Sequence, residues 1–158
     1  MEDWLLAIPV LGTMTGLRTF TPIAVACWFA YLGYLPVEET WAAWTGKLAA
    51  VVIFTLLAVA ELVADKLPKV PNRTAPGPLL ARLVFGGLVG AVASTGLSGS
   101  AFEGAFLGAM GALLGAFGGY LVRKYLVQWS GRPDWNLAVI EDASAVVIAI
   151  FALAVITG

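Results

Sequence analysis

Histidine is absent from the 158 residues of this chain, and cysteine occurs once, as Cys27. The lack of histidine removes the commonest general base and the commonest transition-metal ligand. A lone cysteine excludes an internal disulfide and a metal site built from clustered cysteines. No phosphate-binding glycine-rich loop, metalloprotease helix pattern or haem motif occurs either. We therefore predict no catalytic residue, no metal site and no cofactor.

Charged residues are also scarce: they make up 12% of the chain, whereas hydrophobic residues make up 60%, and the mean hydropathy is +0.90. A soluble domain is typically about half apolar and about one quarter charged. Too few polar residues are present to cover a surface that faces water. The composition therefore predicts an all-α integral membrane protein, a single domain over residues 1–158 whose partner is the lipid bilayer, with no nucleic-acid partner.

Long apolar segments predict the helices. Four of them, at 48–67, 79–97, 102–127 and 135–157, are near or above the length of about 20 residues that crosses the hydrocarbon core.

The first apolar region, residues 4–35, is too long for one span and short for two. The stretch GTMTGLRTFTP, residues 12–22, interrupts it with two glycines, a proline and four threonines. We therefore predict a short or re-entrant helix at 4–11, broken at 12–22, and a second helix at 21–35. The whole chain would then be a compact bundle of five or six membrane-inserted helices.

The basic residues predict the orientation in the membrane. If the segment 48–67 ends on one side, eight of the nine Lys and Arg residues lie at or near that side, and only Lys47 lies on the other. Basic residues are enriched on the cytoplasmic side. We therefore expect a multi-pass protein of the bacterial inner membrane, with loops 66–78 and 123–134 in the cytoplasm and the C-terminus outside.

Small residues recur every four positions in two segments. The stripes are Gly104, Gly108, Ala112 and Ala116; Gly111, Gly115 and Gly119; and, in the preceding segment, Gly86, Gly90 and Ser94. Such stripes let helices approach closely. We expect the segment 102–127 at the centre of the bundle with neighbours on two sides. A stripe could also form the contact of a homodimer or higher oligomer.

Acidic residues lie inside two predicted helices. Glu61 lies about 7–8 Å inward from Lys66 by the helical rise, and Asp65 lies one turn nearer the surface. Glu141 and Asp142 lie about 10–12 Å into the last helix, on positions about 100° apart. A charge at the centre of a span costs about 2.5–3.5 kcal/mol, so these side chains should face protein or water. Asp65 and Lys66 could equally be solvated among the lipid headgroups.

Arg18 supplies an opposite charge at a similar depth. We expect it to pair with Glu61 or Glu141, since a bidentate contact makes both charges tolerable; snorkelling from a helix end is the alternative. The predicted polar cluster consists of Arg18, Glu61, Asp65, Lys66, Asn136, Glu141 and Asp142. A second set could attract anionic lipid headgroups at the inner leaflet. Its members are Lys69, Arg73, Arg82, Arg123 and Lys124.

Three motifs carry a resemblance to a known family: GLRTFTP at 16–22, AELVADKLPKVPNRTAPGP at 60–78 and DWNLAVIEDASA at 134–145. Over nearly its whole length the chain resembles a widespread bacterial family of small integral membrane proteins classed as a domain of unknown function. The residues that match the family pattern are Gly16, Leu17, Arg18, Glu61, Ala64, Asp65, Lys66, Pro68, Asn136, Glu141 and Asp142. The resemblance implies a helical membrane protein and no established activity.

Two functions fit these features. A small transporter or channel for protons, cations or a small solute would use the polar cluster, since intramembrane acids and broken helices mark transport sites. The alternative is a membrane protein that binds anionic lipids or acts as a scaffold, without transport. An enzyme acting on lipid headgroups is a third class, less favoured because no nucleophile or metal set is identifiable. Lipid binding does not need Glu61 or Glu141, so we favour transport.

Overall fold

The computed structural model describes residues 4–64, 75–130 and 134–158. Within them the fold is all-helical, with six α-helices and no β-strand, so the predicted fold class is confirmed to that extent. The helices are α1 (Trp4–Leu17), α2 (Thr21–Tyr31), α3 (Leu48–Ala64), α4 (Pro76–Gly96), α5 (Ala101–Ser130) and α6 (Asp134–Thr157), with a 3₁₀ helix at Ala43–Gly46. Two segments, Pro76–Gly96 and Ala101–Val122, are long and apolar enough to cross a membrane.

The first helix is longer than its sequence predicts: α1 continues to Leu17 instead of ending at residue 11. The threonines do not interrupt it, because the Thr13 hydroxyl donates to the Pro9 carbonyl at 2.8 Å and the Thr15 hydroxyl donates to the Leu11 carbonyl at 3.0 Å. Such bonds to the preceding turn satisfy a hydroxyl inside a helix. The break between α1 and α2 therefore consists of residues 18–20 and is shorter than the predicted break at residues 12–22.

Helix α1 is the centre of the bundle. It packs against α2, α4, α5 and α6, and its side chains Ile8 and Leu11 are fully buried. Helix α5 does have α1 and α4 as neighbours, but the prediction that it lies at the centre is wrong. Its other face exposes large apolar side chains such as Phe106 and Leu114.

The glycine stripes are the contacts between α5 and its two neighbours. A Cβ atom added at Gly108 would overlap the carbonyl oxygen of Gly86 on α4, and one added at Gly115 would overlap the carbonyl oxygen of Thr13 on α1. The small residues therefore permit backbone-to-backbone packing within one chain. Since Pro9 lies against Gly111 and Thr13 against Gly115, α1 and α5 run in the same direction.

Helices α2 and α4 also have limits that differ from the prediction. Helix α2 ends at Tyr31 instead of residue 35, and Gly33 follows with a left-handed φ of +80°, as is common just after a helix. Helix α4 begins at Pro76 instead of residue 79, with proline in its first turn, where the missing N–H has no partner to lose. This earlier start places Arg82 in the second turn of α4.

Candidate functional site

The three-residue break between α1 and α2 carries a buried arginine. Only 1% of Arg18 is exposed, and its Nη2 atom pairs with Oδ1 of Asp142 on α6. The main-chain N–H of Arg18 still donates to the Met14 carbonyl at 2.7 Å, which completes the last turn of α1. Asp142 is itself 9% exposed. Buried charges are tolerated when they are paired and hydrogen-bonded, and α6 supplies the partner here.

The start of α2 is closed by a carboxylate from another helix. Glu61, near the end of the described part of α3, accepts hydrogen bonds from the main-chain N–H groups of Thr19 at 2.7 Å and Phe20 at 2.9 Å. Phe20 is the N-cap residue and its own side chain provides no capping bond. The first N–H groups of a helix lack partners within it, and the helix dipole favours an anion there. Glu61 satisfies both requirements.

The end of α1 is closed by a cation in the complementary way. The Nη1 atom of Arg82 donates to the carbonyl oxygens of Gly16 and Leu17, the latter at 3.0 Å. The last carbonyls of a helix are free acceptors at the negative end of its dipole, so a guanidinium stabilises them. Arg82 is only 5% exposed. The prediction that it faces lipid headgroups is therefore wrong, because its guanidinium binds the main chain inside the protein.

These contacts define the charged cluster: Arg18, Glu61, Arg82 and Asp142, contributed by the break and by α3, α4 and α6. In the part of the chain that the structure describes, two cations and two carboxylates lie around two helix ends. Each helix end meets the charge that its dipole favours, and the remaining cation and carboxylate pair with each other. We call the end of the bundle that contains this cluster the charged end.

The predicted polar cluster is brought together in part. Arg18, Glu61 and Asp142 meet at the break, but Glu61 binds main-chain N–H groups and not the Arg18 guanidinium. Asp142, adjacent to the predicted Glu141, is the acid seen on Arg18. Asp65, Lys66, Lys69 and Arg73 lie outside the described residues, as do the side chains of Arg123, Asn136 and Glu141. Lys124 is exposed on α5.

Sequence reasoning misses the role of Arg82 and does not select Thr21 at all. The sequence predicts Arg82 near the membrane surface because it predicts that α4 begins three residues later; Pro76 and Pro78 are the sign of an earlier start. Thr21, the first residue of α2, is 4% exposed, and its Oγ1 atom has no hydrogen-bond partner among the described residues. No sequence pattern distinguishes it from the other threonines nearby.

Among the described residues no group of three or more Cys, Asp or Glu side chains could hold a metal ion. The cluster instead offers guanidinium groups, carboxylates and main-chain N–H groups. Such groups can bind charged species by hydrogen bonding.

The fold and the cluster thus define an all-helical bundle with a helix break closed by charges from neighbouring helices. The model of the family described as Domain of unknown function (DUF4126) matches residues 5–155, and the chain belongs to this family. The resemblance is confirmed at that level, whereas the motif residues and the bacterial membrane origin stay predictions. No curated protein and no solved structure matches the chain.

Proposed function

We propose that this chain is a small membrane transporter whose charged cluster handles the solute. The observation that carries the proposal is the helix break with a charged side chain bound at each of its two ends. Helix ends directed at a shared site are a recurring binding element of secondary transporters. Helix packing alone would need none of these buried charges.

The distribution of side chains supports the membrane setting. Arg18 and Arg82 are buried, whereas large apolar side chains face outward on every helix, among them Leu6, Leu56 and Phe151. Water-soluble monomers seldom expose apolar patches larger than a few hundred Å². A lipid environment favours this arrangement, because it accepts the apolar exterior and forces the charges inward.

We further propose that the charged end faces the cytoplasm of a bacterial cell and that the chain crosses the inner membrane several times. The positive-inside asymmetry supports this orientation. The alternative of anionic-lipid binding has less support, since Arg82, one member of the predicted headgroup set, is buried.

The test is flux into proteoliposomes containing the native chain, Glu61→Gln or Glu103→Gln. Glu103 is exposed in the first turn of α5, away from the cluster, and serves as the matched control. Uptake of protons, alkali cations and small anions is followed with entrapped indicators against protein-free liposomes. We expect flux from the native chain and Glu103→Gln and at least a several-fold change in Glu61→Gln. Equal flux in all three, or none above protein-free liposomes, would contradict the proposal.

A further inference from the structure

The carboxylate that closes α2 is an unusual cap, because it comes from a different helix and not from the N-cap residue. Glu61 belongs to α3, and its side chain accepts hydrogen bonds from the N–H groups of Thr19 and Phe20 at the start of α2. A carboxylate on main-chain N–H groups at a helix start occupies the position that a free anion would take. Glu61 can therefore be regarded as an anion tethered to the protein.

A second observation points to a ligand at the same helix end. The Thr21 hydroxyl is buried and has no hydrogen-bond partner among the described residues. Covalent geometry keeps this hydroxyl within about 7 Å of the Phe20 N–H. A buried hydroxyl without a partner destabilises the folded protein, and a bound acceptor would remove that loss. The two N–H groups and this hydroxyl belong to three consecutive residues at the helix start, and all three are donors, the type of group that an anion requires.

Glu61 itself indicates the valence of that anion. Its carboxylate carries one negative charge and accepts from both N–H groups. One monovalent anion would therefore replace the charge that Glu61 supplies. Glu61 is only half-buried, so its side chain has an outward path.

We propose that the start of α2 is a binding site for a small monovalent anion and that Glu61 competes with this anion for the Thr19 and Phe20 N–H groups. The inference rests on the proposed transport function and names its substrate class: inorganic monoanions such as chloride, or a carboxylate as small as formate. Glu61 would act as the gate, closing the site when the anion leaves. Arg18 and Arg82 would supply the surrounding positive charge.

The experiment is anion rescue of the purified protein in detergent. Thermal unfolding is measured for the native chain, Glu61→Ala and Glu103→Ala, in sodium formate or sodium chloride against sodium gluconate at equal ionic strength. We expect Glu61→Ala to melt below the native chain and to regain several degrees in formate or chloride. The unfolding temperatures of the native chain and Glu103→Ala should change by less than one degree, because Glu61 already occupies the site. For a protein of this size, about 2–4 °C in unfolding temperature corresponds to 1 kcal/mol.

A second variant tests the hydroxyl directly. Thr21→Val in the Glu61→Ala background keeps the shape of the side chain and removes the donor, so the rescue should weaken. If Glu61→Ala does not fold, Glu61→Gln replaces it, since the amide oxygen still accepts from the N–H groups but holds them less tightly.

The outcomes separate this inference from the proposed function. Absence of rescue by either anion, or equal shifts in all variants, overturns the anion site even if another solute is transported. If anions stabilise Glu61→Ala but the native chain shows no flux, the anion site is supported and the proposed transport function is refuted.

Discussion

The guanidinium of Arg18, in the break after α1, pairs with the carboxylate of Asp142, which lies 124 residues further along the chain on α6. Both residues are buried. The pair therefore connects the last helix to the short segment between α1 and α2. Such a pair can be kept for stability, for a function that needs charge, or for both, and variants separate these roles.

Removing one partner should destabilise the protein strongly, because it leaves the other charge buried. We expect Arg18→Met or Asp142→Leu alone to lower the free energy of unfolding by about 3–5 kcal/mol. The double variant should recover most of that loss, since apolar residues of similar volume often replace a buried pair at little cost. Denaturation in mild detergent measures all three. A double variant less stable than either single variant would contradict this account.

The backbone contacts between α4 and α5 make a matched pair of glycine substitutions informative. Gly108→Ala should destabilise by about 1–3 kcal/mol, because the added methyl overlaps the Gly86 carbonyl and neither backbone can move aside cheaply. Gly118→Ala, in the same helix, has nothing within 4 Å of the added methyl. It should be neutral or stabilise by up to about 1 kcal/mol. Thermal unfolding of the two variants checks this, and equal shifts would refute the packing described for α5.

Arg82 closes the end of α1 with a planar guanidinium, and lysine should not replace it. Arg82→Lys keeps the charge but provides a single ammonium, so we expect a loss of about 1–3 kcal/mol from carbonyls left without a donor. The loss should be the same in liposomes with and without anionic lipid. A stability difference that appears only with anionic lipid would instead favour the headgroup role first predicted for this residue.

The proposed orientation can be read by labelling single cysteines in intact bacterial cells. Glu103→Cys lies at the end of the bundle away from the cluster and should react with an impermeant maleimide from outside. Lys124→Cys, near the charged end, should react only after permeabilisation. The native chain is the control, because its Cys27 is buried and should remain unlabelled. The reverse pattern would invert the proposed topology.

The fold class follows from sequence because composition and long apolar segments are properties of the chain itself. The position where α1 ends does not follow from sequence, because it depends on tertiary contacts. The glycines are accommodated by α5, and the hydroxyls of Thr13 and Thr15 bond to the preceding turn. A local reading of the same residues gives a break that is too wide.

The candidate site divides in the same way. The depth of Glu61 and Asp142 in their helices identified them as residues that must face protein. Periodicity alone could not show that Asp142 pairs with Arg18, since it fixes only that positions 141 and 142 lie about 100° apart on the helix. Nor could it show that Glu61 would bind the main chain, because that contact is fixed by where the break lies relative to α3.

The most direct test of the central claim is anion and proton flux through the Arg18→Met, Asp142→Leu double variant, compared with the native chain in the same proteoliposomes. If the charged cluster carries transport, flux should fall at least tenfold while the unfolding temperature stays near that of the native chain. Native flux from this stable variant, which lacks the buried ion pair, would show that the pair only holds the helices together.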